Sequence, residues 1–137
     1  MALHNFGPDS SVLTINGRLI TDFGETAAPF THSPIDAKTI LRRGQGGKAV
    51  RLNRINPGRA ASVYLNPGSP NSAYVQGLFN SNANITISWT QIGTLEAAIG
   101  TEGVIVNDAA MNRAGTTISD DQFDFEFNVW NDSKGGE

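Results

Sequence analysis

The chain has 137 residues, with ten Lys/Arg against thirteen Asp/Glu, a net charge of −3 and no cysteine. That length suits one domain able to bury about two-thirds of the surface of its unfolded chain, and the lack of cysteine excludes disulfides, thiolate-bound zinc and cysteine redox chemistry. No apolar run approaches the roughly 18 residues of a membrane span, and residues 1–10 carry no basic-then-apolar leader pattern, so a soluble chain unsecreted by the usual signal route is expected.

Residues 1–10 form an aperiodic arm containing His4, Gly7 and Pro8. Residues 12–23 read as extended, interrupted at Asn16-Gly17, which fits either a two-residue hairpin or a bulge in one long strand. Residues 24–48 hold Pro29, Pro34, Gly44, Gly46 and Gly47 without sustained periodicity. So long an excursion from a compact domain points to a functional loop or a protruding hairpin, with residues 35–43 pairing as a short strand. The run Gly44-Gln45-Gly46-Gly47-Lys48 lacks the Ser/Thr after lysine that a phosphate-binding loop needs, and is taken as a glycine-rich turn.

Residues 49–55 alternate apolar and polar, and after Asn56-Pro57-Gly58 comes residues 60–65, suggesting two antiparallel strands. Ser69 and Pro70 form a helix start, predicting a helix over residues 71–79 whose Tyr74, Val75, Leu78 and Phe79 cover one end or side of a sheet system. A strand over residues 84–92 places Ile85, Ile87, Trp89 and Gln91 on one face. Residues 95–99 and 103–107 give one strand interrupted at Gly100, or two short ones. After a connection containing Met111, Arg113 and Gly115, residues 120–130 alternate most clearly of all. There Phe123, Phe125, Phe127 and Val129 form a core face, opposite Asp124, Glu126, Asn128 and Trp130. Residues 132–137 are a polar tail. The total is a mainly β fold, a small barrel or sandwich of about six to eight strands with one short flanking helix.

Chemistry is scarce in this pattern. His4 and His32 have no companion at metal-ligand spacing and read as chance surface histidines. The carboxylates Asp120, Asp121, Asp124 and Glu126 form no calcium-loop motif, and Asp124 and Glu126 are next-but-one neighbours on a strand, so a solvated or subunit-facing acidic row is favoured over metal binding or acid–base catalysis. No cofactor or metal is expected, nor an enzymatic activity.

The charges are unevenly distributed. Residues 1–59 hold eight Lys/Arg against four Asp/Glu, and residues 60–137 hold two against nine. Most of the cations, Arg42, Arg43, Lys48, Arg51, Arg54 and Arg59, fall in one stretch with no aromatic residue among them. Bases would need such residues to stack on, so a single-strand nucleic-acid-binding barrel is a minor alternative. Complementary surfaces on successive copies of the chain account for the same asymmetry.

Several motifs in order, Arg42-Arg43-Gly44-Gln45-Gly46-Gly47, Asn56-Pro57-Gly58-Arg59, Pro67-Gly68-Ser69, Gln76-Gly77-Leu78, residues 102–107 (EGVIVN) and residues 119–123 (SDDQF), resemble the short tail tube proteins of contractile-tailed bacteriophages. The likeness extends over residues 11–131, and type VI secretion tube proteins are similar in fold. The resemblance implies a small β-barrel that forms hexameric rings, stacked into the inner tail tube through which DNA passes during ejection without specific binding. It implies a place in the virion tail, assembly in the bacterial host cytoplasm, sheath and baseplate partners and no membrane. The early loop would reach an adjacent ring. The basic residues would then meet Asp124 and Glu126 of a neighbour, with the acidic face of Asp120, Asp121, Asp124 and Glu126 either at that contact or lining the bore. A baseplate or tail-completion protein of the same fold is the alternative.

Overall fold

A computed structural model describes residues 11–109 and 112–134. The arm with His4, Met111 of the late connection and the last three residues of the tail lie outside the described residues. Nine strands and one helix follow in the order β1 (Ser11–Ile15), β2 (Arg18–Ile20), β3 (Phe30–Pro34), β4 (Thr39–Arg43), β5 (Ala49–Asn53), β6 (Arg59–Leu65), α1 (Pro70–Asn80), β7 (Ile85–Gln91), β8 (Glu96–Asp108) and β9 (Asp121–Ser133). Seven of the strands make one antiparallel sheet in the order β2-β1-β7-β8-β9-β6-β3, and β4 and β5 pair separately.

Asn16 and Gly17 resolve as a hairpin. Both have positive φ, 50° and 84°, as the favoured two-residue turn requires, and Ile15 pairs with Arg18 across it. The Asn16 side chain ties this turn to β7, its Oδ1 accepting from the Thr86 amide at 2.8 Å and its Nδ2 donating to the Asn84 carbonyl at 3.1 Å.

The large sheet is strongly curled. Laid flat, β7 and β3 would lie roughly 19 Å apart, four strand spacings, yet the Phe30 and Trp89 rings are 6.1 Å apart. Curling gathers Leu13, Ile15, Val63, Leu65, Ile85, Ile87, Phe123, Phe125 and Phe127 into one buried cluster. The sheet does not close as a barrel, because its edge strands β2 and β3 are not paired with each other among the described residues. Instead the chain leaving β2 bridges toward β6: Phe23 pairs with Leu65, and the Gly24 amide donates to the Tyr64 carbonyl at 3.0 Å.

Helix α1 begins as the sequence suggests. Ser69 is the N-cap, its Oγ accepting from the Ser72 amide at 3.2 Å, with Pro70 in the first turn. Val75 is buried, and Tyr74, Leu78 and Phe79 pack on the same core. Arg18 of β2 fastens the helix from outside, its Nε donating to Asn71 Oδ1 at 3.1 Å while its guanidinium lies 4.8 Å from the centre of the Tyr74 ring.

Five sequence expectations change. Residues 30–34, inside the aperiodic excursion, form β3 and pair with β6, which raises the strand number above eight. Strand β5 pairs with β4 and not with β6, because Asn56-Pro57-Gly58 carries the chain from the hairpin back to the sheet. Gly100 does not interrupt β8, which runs 13 residues; it pairs with Trp130 and leaves room for that ring, since a Cβ there would lie 2.6 Å from it. Trp130 accordingly leaves the polar face, packing 5.4 Å from the Phe127 ring, and β9 continues through Ser133 into what the sequence presents as tail.

Candidate assembly surfaces

The β4–β5 hairpin is built from alternating residues that nothing among the described residues covers. Its register sets Ile40 opposite Leu52 and Arg42 opposite Val50, so these four share one face; Leu41 opposite Arg51 and Arg43 opposite Ala49 share the other. Every residue of both strands is exposed, Leu41 at 63% and Val50 at 59%. Gly44-Gln45-Gly46-Gly47 makes the tip, with the Gly44 amide donating to the Lys48 carbonyl at 2.8 Å and Gly47 in the left-handed region at φ 85°.

The six cations of the basic stretch separate into two groups. Arg42, Arg43, Lys48 and Arg51 stand on the hairpin, and among the described residues none of them has an ion pair within the chain. Arg54 and Arg59 are used internally. Arg54 fastens the hairpin's foot, its Nε donating to the Ala37 carbonyl at 3.4 Å and its Nη1 lying 3.9 Å from Asp36 Oδ2. Arg59, on β6, donates from Nε to His32 Nδ1 at 2.9 Å.

The carboxylates divide in the same way. Asp120 accepts from the Glu25 and Thr26 amides, each at 3.3 Å, and Gly24 leaves the space for it, since a Cβ there would lie 2.3 Å from its carboxyl carbon. Asp121 is buried on the core side of β9, accepting from Ser72 Oγ and paired with Arg113; it joins helix, strand and the late connection. Asp124 accepts from Ser62 Oγ at 2.7 Å and from Gln122 Nε2 at 3.2 Å. Glu126 stands exposed on the outer sheet face between Ala60 and Val104. The four acids therefore do not form one row, and Glu126 is the carboxylate left to meet something else. The apolar side chains beside it, Val104 and Val106, are about half exposed. Among the described residues no three His, Cys, Asp or Glu side chains converge as metal ligands.

His32 is more than a surface histidine. It lies between Phe30 and Trp130, with ring centres 5.8 and 4.9 Å away. Partial burial lowers its pKa below the usual 6.5, and the Arg59 charge lowers it further, assisted by Lys134 and opposed by Asp132 and Glu96. Neutral His32 is the form that accepts the Arg59 hydrogen bond. No local pattern marks this cluster, because its members come from three strands far apart in sequence. Beside it a cleft of about 510 Å3 separates the hairpin's foot, at Asp36–Lys38 and Ile55–Gly58, from the end of β9.

A curled seven-stranded antiparallel sheet with one helix and an exposed hairpin is the fold class this chain defines. No known protein family pattern matches the chain, and no curated protein sequence matches it. Solved structures do. The chain is similar to the sheath/tube terminator of PVC, an extracellular contractile injection system in its extended state, at 14% identity and TM-score 0.60, over 98% of this chain and 100% of the other. It is also similar to the tube-terminating cap of the anti-feeding prophage AFP, at 15% identity and TM-score 0.58, over 98% and 95%. A chain of the extended PVC sheath–tube complex matches at 11% identity and TM-score 0.56, over 95% and 92%. At these identities the likeness is one of fold.

Proposed function

We propose that this protein is a structural component of a contractile tail or injection machine, and that it assembles head-to-tail into hexameric rings stacked as an inner tube. The observation that carries this reading is the β4–β5 hairpin. An isolated two-stranded hairpin is marginal in water, and this one exposes Ile40, Leu41, Val50 and Leu52 together with four cations that have no ion pair among the described residues, a surface suited to cover by another molecule. The fold shared with a terminator, a cap and a chain of a sheath–tube complex supports the same reading. Hairpin and sheet face are different surfaces of one subunit, which is the condition for heterologous contacts that close into rings or continue as filaments. With the basic residues held at such contacts, the bore is neutral to acidic and lets DNA pass without holding its phosphates. Sheath and baseplate proteins are the further partners, and the virion tail is the location.

Negative-stain electron microscopy of the concentrated protein tests this directly. Six-fold rings and stacked tubes are expected, and monomers persisting under all conditions would overturn the proposal. A second reading, a terminator that caps a tube, is favoured by the likeness in fold to a terminator and to a cap. Rings that form but never stack would select it.

A further inference from the structure

The outer face of the sheet carries a groove of about 290 Å3, bounded on one side by Ile35 and Pro57 at the hairpin's foot and on the other by Val104, Glu126 and Asn128. Val104 and Glu126 are cross-strand partners on β8 and β9, and Val106, at a bulge in β8 just beyond the groove, is about half exposed. The groove's lining is mixed: Ile35, Pro57 and Val104 lie beside Asn56, Asn128 and two carboxylates, Asp36, which is paired with Arg54, and Glu126, which has no ion pair among the described residues. The hairpin face of Ile40, Arg42, Val50 and Leu52 is its complement: three apolar side chains around one cation that has no ion pair among the described residues. Within one molecule the two surfaces do not cover each other, since Leu52 and Val104 are each 49% exposed.

We propose that this groove receives the β4–β5 hairpin of a second copy, with Ile40, Val50 and Leu52 over Val104 and Val106, and Arg42 against Glu126. The assignment rests on the assembly reading above and adds the site of contact. It also places the outer acidic face at a subunit contact and not along the bore. A water-filled bore would leave the valines uncovered, whereas a basic, apolar hairpin satisfies them and the carboxylate together. Each copy then offers a hairpin and a groove, and the contact repeats from copy to copy.

The test is reciprocal charge reversal combined with cross-linking. Glu126→Arg and Arg42→Glu are each expected to raise the concentration needed for assembly about tenfold, and the double variant to return it close to wild type. Far-UV circular dichroism checks that each variant folds. Because the chain has no cysteine, L52C protein mixed with V104C protein and a short bis-maleimide should give a cross-linked heterodimer that neither variant gives alone. Rings formed by folded variants with unchanged concentration dependence and no heterodimer would overturn the groove assignment while leaving the assembly proposal standing. Wild-type protein that never assembles would remove both.

Discussion

Strands β5 and β9 are written in the same alternating pattern but meet opposite fates. In β9 the apolar residues Phe123, Phe125 and Phe127 are buried at 2% exposure or less, flanked on both sides by β8 and β6. In β5 the apolar residues Val50 and Leu52 alternate just as well, yet pair only with β4 and stay in water. Alternation specifies that a segment is extended and two-faced; what covers the apolar face is decided by neighbours distant in sequence or in another molecule. The difference also separates two kinds of charge. Acids on or before β9 are largely satisfied within the fold, whereas the hairpin's cations are not.

Substitutions should divide along that line, core changes lowering stability and hairpin changes lowering assembly. The largest stability loss is expected from Phe127→Ala, about 3–5 kcal/mol, measured as a shift in the urea unfolding midpoint. The Phe127 ring fills the gap left by two glycines of β8, and a Cβ on Gly103 would stand 2.2 Å from it. Gly103→Ala should therefore cost about 1–3 kcal/mol by overpacking. If Gly103→Ala is neutral, the glycine is not there to admit the ring.

The next effect concerns the buried acid. Arg113→Ala leaves Asp121 with Ser72 as its remaining side-chain partner, and a loss of about 1–2 kcal/mol is expected, limited because the arginine is partly in water. Asp121→Asn with Arg113 retained separates the charge from the hydrogen bond. An unchanged unfolding midpoint in Arg113→Ala would mean that the late connection does not brace β9.

Much of this architecture is legible in the sequence where the determinants are local. The Ser69 cap and the phenylalanine alternation of β9 are each set by a few adjacent residues and appear where the sequence places them, whereas Asn16-Gly17 marks a break that the sequence leaves open between hairpin and bulge and that pairing with β2 resolves as a hairpin. Strand β3 is not legible, because Phe30–Pro34 ends in proline and has no apolar alternation; it is a strand because β6 offers it an edge. Trp130 is misassigned by simple alternation, since its face depends on the space at Gly100, 30 residues earlier. The candidate site is legible as a basic stretch, but which cations are free is not. Arg54 and Arg59 are removed from the set by Asp36, Ala37 and His32, contacts that composition does not encode.

A smaller effect is expected from His32. Its lowered pKa means that the folded state favours the neutral ring, so its contribution to stability is complete above the unfolded value near 6.5 and is lost as pH falls below it. Protonation places a second cation against Arg59 and removes the acceptor of that hydrogen bond. Wild-type protein should lose urea resistance between pH 7 and pH 5.5 more than His32→Gln, whose side-chain oxygen still accepts but does not titrate. Equal slopes in the two proteins would show that the histidine is uncoupled from folding.

The smallest stability effect should come from the hairpin, and it is the one that bears most on function. Leu52 is half exposed and lies outside the buried core cluster, so Leu52→Ser should move the unfolding midpoint of the monomer by no more than about 0.5 kcal/mol. The same substitution puts a hydroxyl into the proposed contact, and in the proposed hexameric ring a modest loss at each of six contacts would be multiplied through the assembly. Sedimentation and electron microscopy should therefore show a folded protein of unchanged stability that forms few rings. A Leu52→Ser protein that is instead clearly destabilised as a monomer would mean that the hairpin packs on its own subunit, and the contrast between β5 and β9 would disappear.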